Sequence, residues 1–245
     1  MLWSGSLLNE IPSFPRESIS SYDWKNIPLK LFYRMLIAFE GIDGSGKTTQ
    51  AELLSKRLNG EGISNVILRE PGGTPLGEGV RELLLHRSDL KVSPIAEFLL
   101  FSASRSQLTH EKILPALRGG KAVIIDRYFY SSIAYQGFGR GIPVSEIKTV
   151  NHFATQNVIP DVVFLFTLDL KTAFERMASS GRAADRMEKG ESEFFHRVID
   201  GFAYCAKEEP DKFVTVDGRE SIDNLSEKIF QNVMNRIKRV KTNAP

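Results

Sequence analysis

The sequence predicts an α/β fold in three layers, α/β/α, built on a five-stranded parallel sheet. Three observations point to it. Short, continuously apolar runs alternate along the chain with longer stretches of helical period, the pattern of strands buried on both faces by crossover helices. Glycine-rich turns and acids recur at the carboxyl ends of those runs, where parallel sheets place their ligands. No internal repeat interrupts the alternation, and 245 residues suit one such domain or two small ones.

The elements follow in order. Leu36-Ile37-Ala38-Phe39 has strand length and ends at a glycine-rich turn, after which Gln50 to Leu58 reads as a helix. Val66-Ile67-Leu68 is a second strand, closed by Arg69-Glu70-Pro71-Gly72-Gly73, because proline and paired glycines force a turn. Leu76 to Leu85 is helical, and Ile95 to Leu117 carries apolar residues mostly at helical spacing. Ala122 to Asp126 is an apolar strand with an acid at its carboxyl end. Ser145 is placed to cap a helix reaching about Gln156. Val162 to Phe166 is a buried strand, and a helix follows from Lys171 to Met177. A polar, Arg-rich stretch, 179–193, breaks the pattern; helix resumes near Phe194, a last strand covers Phe213 to Val216, and a helix from about Ile222 to Arg239 closes the chain.

Composition excludes several classes. Apolar residues make up 42% and charged residues 25%, as in ordinary globular proteins. With 32 basic against 30 acidic residues, nothing in the charge balance calls for nucleic acid or a membrane surface. No apolar run approaches the roughly 20 residues that span a bilayer. A single cysteine, Cys205, fits a reducing, cytoplasmic compartment and sits at a packing position of a helix. The four histidines show no metal-ligand spacing. Residues 1–34 lack a long amphipathic period, an apolar signal core and the acid-poor composition of a transit peptide; they read as an extension ahead of a domain covering 35–241, with Met35 as an alternative start.

The most specific signal is Gly41-Ile42-Asp43-Gly44-Ser45-Gly46-Lys47-Thr48, which fits G-x-x-x-x-G-K-[ST] between a strand and a helix. Glycines let successive N–H groups turn inward around a phosphate, aided by the positive end of the following helix. Lys47 then reaches the outer phosphates and the Thr48 hydroxyl suits Mg²⁺, with Thr49 continuing the site. The loop implies a nucleoside triphosphate and a P-loop fold.

Two further constellations add chemistry. In Asp126-Arg127-Tyr128 a carboxylate can orient Mg²⁺ through water, and the neighbouring arginine can grip a phosphate through two parallel hydrogen bonds. Phe101 and Arg105 lie four residues apart on one helix face, so that a ring can stack on a base while a guanidinium donates to its exocyclic oxygen. The other reading of Phe101 is a core residue.

These segments resemble the thymidylate kinase family. The matching stretches are Phe39 to Thr49, Arg69 to Glu78, Leu100 to Arg105, and Asp126-Arg127-Tyr128 running on to Gly137; the likeness extends from Met35 to about Arg239. The resemblance implies transfer of the γ-phosphoryl of ATP to dTMP, giving dTDP and ADP for dTTP synthesis. It implies that Phe101 stacks on thymine, Arg105 bonds its O4, and Arg127 clamps the dTMP phosphate. Asp43 would help to place the acceptor, and Tyr135 would lie beneath the deoxyribose. Ser132 and Gln136 fall at the acceptor site, and Arg81 is a second phosphate contact or else lies on a solvated helix face. The Arg-rich break resembles the mobile lid of bacterial members. Some relatives have an arginine inside the phosphate loop, where this chain has Gly44 and Ser45. Arg182 or Arg186 would then supply charge to the transferring group, undecided between them, and Arg176 would stack on adenine. The family also implies a homodimer.

The acceptor oxygen of dTMP is already anionic, so alignment and charge neutralisation suffice without a general base. Other P-loop kinases of nucleoside monophosphates or deoxynucleosides remain alternatives. A P-loop GTPase-like switch is the reading from another class, against which stands the lack of Asn-Lys-x-Asp.

Overall fold

A computed structural model describes residues 34–87, 89–179 and 192–242. Its sheet has five parallel strands, β1 (Leu36–Gly41), β2 (Asn65–Arg69), β3 (Ala122–Asp126), β4 (Val162–Thr167) and β5 (Phe213–Asp217), in the order β2-β3-β1-β4-β5. Phe39 pairs with Asp126 and Phe164, so β1 lies at the centre and the carboxyl ends of β1, β2 and β3 come together. All six residues of β1 are buried.

Alternation along each strand divides the core in two. Leu36 and Ala38 of β1, Val123 and Ile125 of β3, and Val163 and Leu165 of β4 face one side. They pack with Phe98 of α3 (Pro94–Leu108), Ile147 of α6 (Val144–Ala154) and Val198 and Phe202 of α8 (Ser192–Glu208). Ile37, Phe39, Ile124, Phe164 and Phe166 face the other side, against Leu54 and Leu58 of α1 (Lys47–Gly60) and Leu225, Ile229 and Val233 of α9 (Ile222–Thr242). Each buried Val, Leu, Ile or Phe side chain among them contributes about 1.5–3 kcal/mol. Two-sided burial explains why the strands read as unbroken apolar runs.

Helix starts follow local chemistry. In α2 (Pro75–Arg81) the Thr74 hydroxyl accepts from the Gly77 N–H at 3.0 Å, with Pro75 in the first turn. In α3 the Ser93 hydroxyl accepts from the Ala96 N–H, with Pro94 in the first turn. Both are the cap-then-proline pattern that satisfies orphan N–H groups and presets φ. Ser145 does not cap its helix: α6 starts one residue earlier, at Val144, after Pro143, and has no side-chain cap.

The stretch expected as one helix over 95–117 is α3, a π turn at Thr109–Ile113 and α4 (Leu114–Arg118). A π turn also extends α2 through Glu82–His86. After β3 comes α5 (Phe129–Ser132), whose continuation Ile133–Gly139 is π-helical. The remaining helix, α7 (Leu170–Ser179), precedes the Arg-rich stretch. Cys205 is buried in α8. Among the described residues no helix is long and apolar enough to cross a membrane.

Candidate active site

The glycine-rich loop joins β1 to α1 at the carboxyl edge of the sheet. Gly41 has φ +136°, and a β-carbon there would fall 2.5 Å from the Phe166 carbonyl oxygen. Gly44 has φ +77°, and a β-carbon would meet the Ala173 carbonyl oxygen of α7 at 2.7 Å. No other residue type fits such positions without strain. Packing against α7 thus keeps position 44 bare. Gly46 caps α1 without a side chain and the first turn has no acid, so the positive helix end is left for an anion.

Lys47 folds over this loop, its Nζ donating to the Ile42 carbonyl at 2.7 Å, with Ser45 Oγ at 3.4 Å. Burial, reinforced by the nearby Arg127 charge, pulls the Lys47 pKa down to about 8. Thr48 Oγ1 donates to Asp126 Oδ2 at 2.5 Å, joining the loop to the end of β3. One hydroxyl and one carboxylate form an oxygen donor set that suits Mg²⁺, which keeps several waters and phosphate oxygens in its shell. Among the described residues no group of three or more His, Cys, Asp or Glu could hold a metal ion. Arg176 of α7 is exposed above the loop, donating to the Gly218 carbonyl at 3.0 Å.

Arg127 follows β3 in a left-handed backbone conformation, φ 67°, which costs a non-glycine residue about 1–2 kcal/mol. Its N–H donates to Phe39 O at 2.9 Å. Its guanidinium donates to Asp43 Oδ1 at 2.7 Å, Ser131 Oγ at 3.2 Å and the Tyr135 hydroxyl at 3.4 Å. Burial opposes the charge, but Asp43, Tyr135 and Asp126 outweigh it and hold the Arg127 pKa well above the usual arginine value.

A pocket opens beside Arg127, enclosing about 600 Å³ of space, part of it open to solvent. Phe101, Arg105, Ser132, Tyr135 and Gln136 line it, together with Arg81 and Glu70. Phe101 is half-buried and packs against the core, so the expected stacking surface is also a core residue. Arg105 is 2% exposed, its Nε donating to Glu70 at 2.8 Å and its Nη1 to Asn151 at 2.7 Å. Two of its donor directions are therefore committed to the protein, which narrows what it can offer a base. Gln136 donates its amide to Glu97 at 3.0 Å. Arg81 does not lie on a solvated face: it donates to the Pro71 carbonyl at 3.0 Å and lines the pocket.

A second, larger cleft runs over Gly44 to Thr49, Asp126, Arg176 and Gly218. The two share a wall made by Asp43, Glu70, Arg81 and Arg127. A family model described as thymidylate kinase matches residues 39–229. The chain belongs to the thymidylate kinase family. It is 42% identical over 205 residues to the thymidylate kinase of Caldanaerobacter subterraneus subsp. tengcongensis, covering 84% of this chain and 97% of that one. It is 47% identical over 191 residues to that of Thermosipho africanus, covering 78% and 93%. The crystal structure of thymidylate kinase from Ehrlichia chaffeensis superimposes with a TM-score of 0.67 at 35% identity, covering 82% of this chain and 98% of that one. Membership in the thymidylate kinase family makes this chain a kinase, with ATP as co-substrate and dTMP as acceptor.

Of the residues expected at the site, only Arg182 and Arg186 lie outside the described residues, as does most of the lid, 179–193. Sequence reasoning assigned no role to Glu40, Ser131 or Asn151, and noted Glu70 only by its place at the sheet edge. Glu40 is fully buried; it accepts from the N–H of Tyr128 at 2.8 Å and from the Ser131 hydroxyl at 2.6 Å. Burial pushes its pKa up to about 7, although Ser131 and Arg127 pull the other way. Burial does the same to Glu70, to about 7, against the opposing Arg105. An acid inside an apolar strand was the available signal for Glu40; Asn151 gave none.

Proposed function

We propose that the thymidylate kinase reaction of this chain is a direct in-line transfer carried by the residues around the shared wall. A phosphate oxygen of dTMP attacks the γ-phosphorus of ATP, the bond to the β–γ bridging oxygen breaks, and ADP leaves with that electron pair. The single observation that carries the reading is that two clefts, one over the phosphate loop and one beside Arg105, share Asp43 and Arg127 in their walls. Two anions held end to end repel each other, and a fixed cation where they meet offsets that repulsion.

Gly41 to Thr49 hold the triphosphate of ATP, with Lys47 at its outer oxygens and Arg176 beside the adenine. Thr48 and Asp126 would hold Mg²⁺, which supplies charge neutralisation at the phosphates. Arg127 clamps the acceptor phosphate, with Asp43 fixing its direction and Arg81 at its side. Phe101 stacks on thymine, and the remaining donor edge of Arg105 reaches O4. The Gln136 amide nitrogen donates to Glu97, which orients the side chain so that its carbonyl oxygen can accept from thymine N3–H. Cytosine presents the reverse pattern and is rejected. Tyr135 and Ser132 close the sugar side. Arg182 and Arg186 add charge from the lid, in a catalytic domain over 35–241.

A homodimer forms through helices α2, α3 and α6. α3 packs on both of the others, and the three expose Leu76, Ile95, Leu99 and, at 87%, Phe153. Exposed apolar side chains on adjoining helices mark an interface.

A coupled ATP assay against a panel of nucleoside monophosphates and thymidine tests the reaction. Fastest turnover is expected on dTMP, with dUMP behind it by the value of one methyl group, about 1–3 kcal/mol. Faster turnover on dCMP or on free thymidine would overturn the reading.

A further inference from the structure

We propose that Glu40 is a positioning residue for phosphoryl transfer, aiming the Arg127 guanidinium at the acceptor phosphate through the Ser131 hydroxyl. The inference rests on Arg127 being the phosphate clamp.

Glu40 is the fifth residue of β1 and, by alternation, faces the same side as Leu36 and Ala38. A strand buried on both faces would ordinarily carry a β-branched or aromatic residue there, since an enclosed carboxylate is costly. Here the carboxylate is fully used. Oε1 accepts from the N–H of Tyr128 at 2.8 Å and of Ser131 at 3.3 Å. Oε2 accepts from Ser131 Oγ at 2.6 Å, and Ser131 Oγ in turn accepts from Arg127 Nη1 at 3.2 Å. A hydroxyl has one proton. Once that proton is spent on Oε2, only lone pairs face Arg127, so the carboxylate dictates the direction of the second bond.

The same carboxylate stabilises a turn that would otherwise be disfavoured. Arg127 is left-handed at φ 67°, a conformation that persists only where surroundings enforce it. The Phe39 carbonyl holds its N–H at 2.9 Å, and the carboxylate of the next residue along β1 holds the N–H groups of Tyr128 and Ser131 beyond it. Adjacent residues of one strand therefore grip the turn, and the guanidinium is fixed at Nη1 by Ser131 and at Nη2 by Asp43.

Steady-state kinetics on the full chain with Glu40→Gln, Ser131→Ala, the double variant and Arg127→Lys test this, with melting temperature measured in parallel. Glutamine presents a donor to the Ser131 oxygen and so competes with Arg127; Ser131→Ala cuts the relay while leaving the Tyr128 and Ser131 N–H anchors to support folding. Each single variant is expected to lose about tenfold in kcat/KM for dTMP, the value of one hydrogen bond to a charged group. KM for ATP should stay within about twofold, and the double variant should be no worse than the more severe single one, as for two members of one network. Wild-type dTMP constants in Ser131→Ala, with Arg127→Lys impaired, would overturn the relay alone. Parallel loss of melting temperature and of both KM values in Glu40→Gln, with additive effects in the double variant, would also overturn it and make Glu40 a fold element. An unimpaired Arg127→Lys would instead remove the phosphate-clamp reading beneath it.

Discussion

Asp43 and Arg127, 84 residues apart in the chain, form an ion pair of 2.7 Å at the place where the two clefts meet. One partner comes from the loop after β1 and the other from the turn after β3, strands that are hydrogen-bonded neighbours. Both side chains keep some exposure, 29% for Asp43 and 15% for Arg127, so an incoming phosphate can reach the guanidinium without leaving an isolated buried charge behind.

Removing the cation should therefore harm the transfer itself. Arg127→Ala is expected to lower kcat by about a hundredfold to a thousandfold, the usual cost of losing one electrostatic stabiliser. Single-turnover kinetics with saturating ATP and dTMP measure it; a loss confined to KM for dTMP would assign Arg127 to binding alone.

Arg105 and Glu70 are a different pair, buried to 2% and 4% exposure at 2.8 Å. Arg105→Ala strands the Glu70 carboxyl in the core, a change that typically costs about 3–5 kcal/mol of stability and is read by urea denaturation. It should also narrow the preference for dTMP over dCMP. Equal loss on every pyrimidine monophosphate would refute the base-reading role.

Gly44→Ala tests the packing of the phosphate loop on α7. Its φ of +77° and the 2.7 Å approach to the Ala173 carbonyl both oppose a β-carbon. Strain of about 1–2 kcal/mol should weaken ATP binding in titration calorimetry, whereas unchanged affinity would show that the loop and α7 move apart at no cost.

The Glu40 carboxyl makes stability depend on pH in a defined direction. Its pKa rises from 4.5 to about 7 on folding, chiefly through burial. The folded chain then binds the extra proton between those values, so this contribution is complete below about pH 4.5 and is lost as pH rises towards 7. At about 1.4 kcal/mol per unit, the loss amounts to a few kcal/mol. Arg127 and Lys47, which face this carboxyl, limit the shift, and Glu70 adds a parallel one. Urea midpoints measured from about pH 5 to pH 8 should fall less steeply in Glu40→Gln than in the wild type.

The exposed faces of α3 and α6 yield the last prediction. Leu99→Glu or Phe153→Glu should convert a dimer to a monomer in light scattering, since each places a charge in an apolar contact. A wild-type chain that is already monomeric would remove the dimer.

All five strands were legible because two-sided burial imposes unbroken apolar runs, and that demand is written locally. Helical spacing placed the starts of α2 and α3 at Leu76 and Ile95, one residue past Pro75 and Pro94, where Thr74-Pro75 and Ser93-Pro94 satisfy and preset the first turn. Ser145 misled because a serine can cap only just ahead of the first helical residue, and the helix already begins at Val144, with Pro143 at the cap position. The π turns at 82–86, 109–113 and 133–139 left no periodic trace, since one inserted residue is accommodated by packing between elements.

Within the site, the phosphate loop was readable because its chemistry is mostly backbone, set by glycines at fixed offsets. Residue type and spacing along the chain specify the sheet, that loop and the kinds of side chain delivered to its edge. Which side chains become partners is set by the assembled fold: Glu40 with Ser131 across 91 residues, Arg105 with Asn151 across 46, and Arg105 with Glu70 across 35. Parallel pairing brings the ends of distant strands together, and burial then removes the water that would otherwise satisfy each charge. Hydrogen-bond direction and protonation thus become properties of the assembled site, with no counterpart in any short stretch of chain.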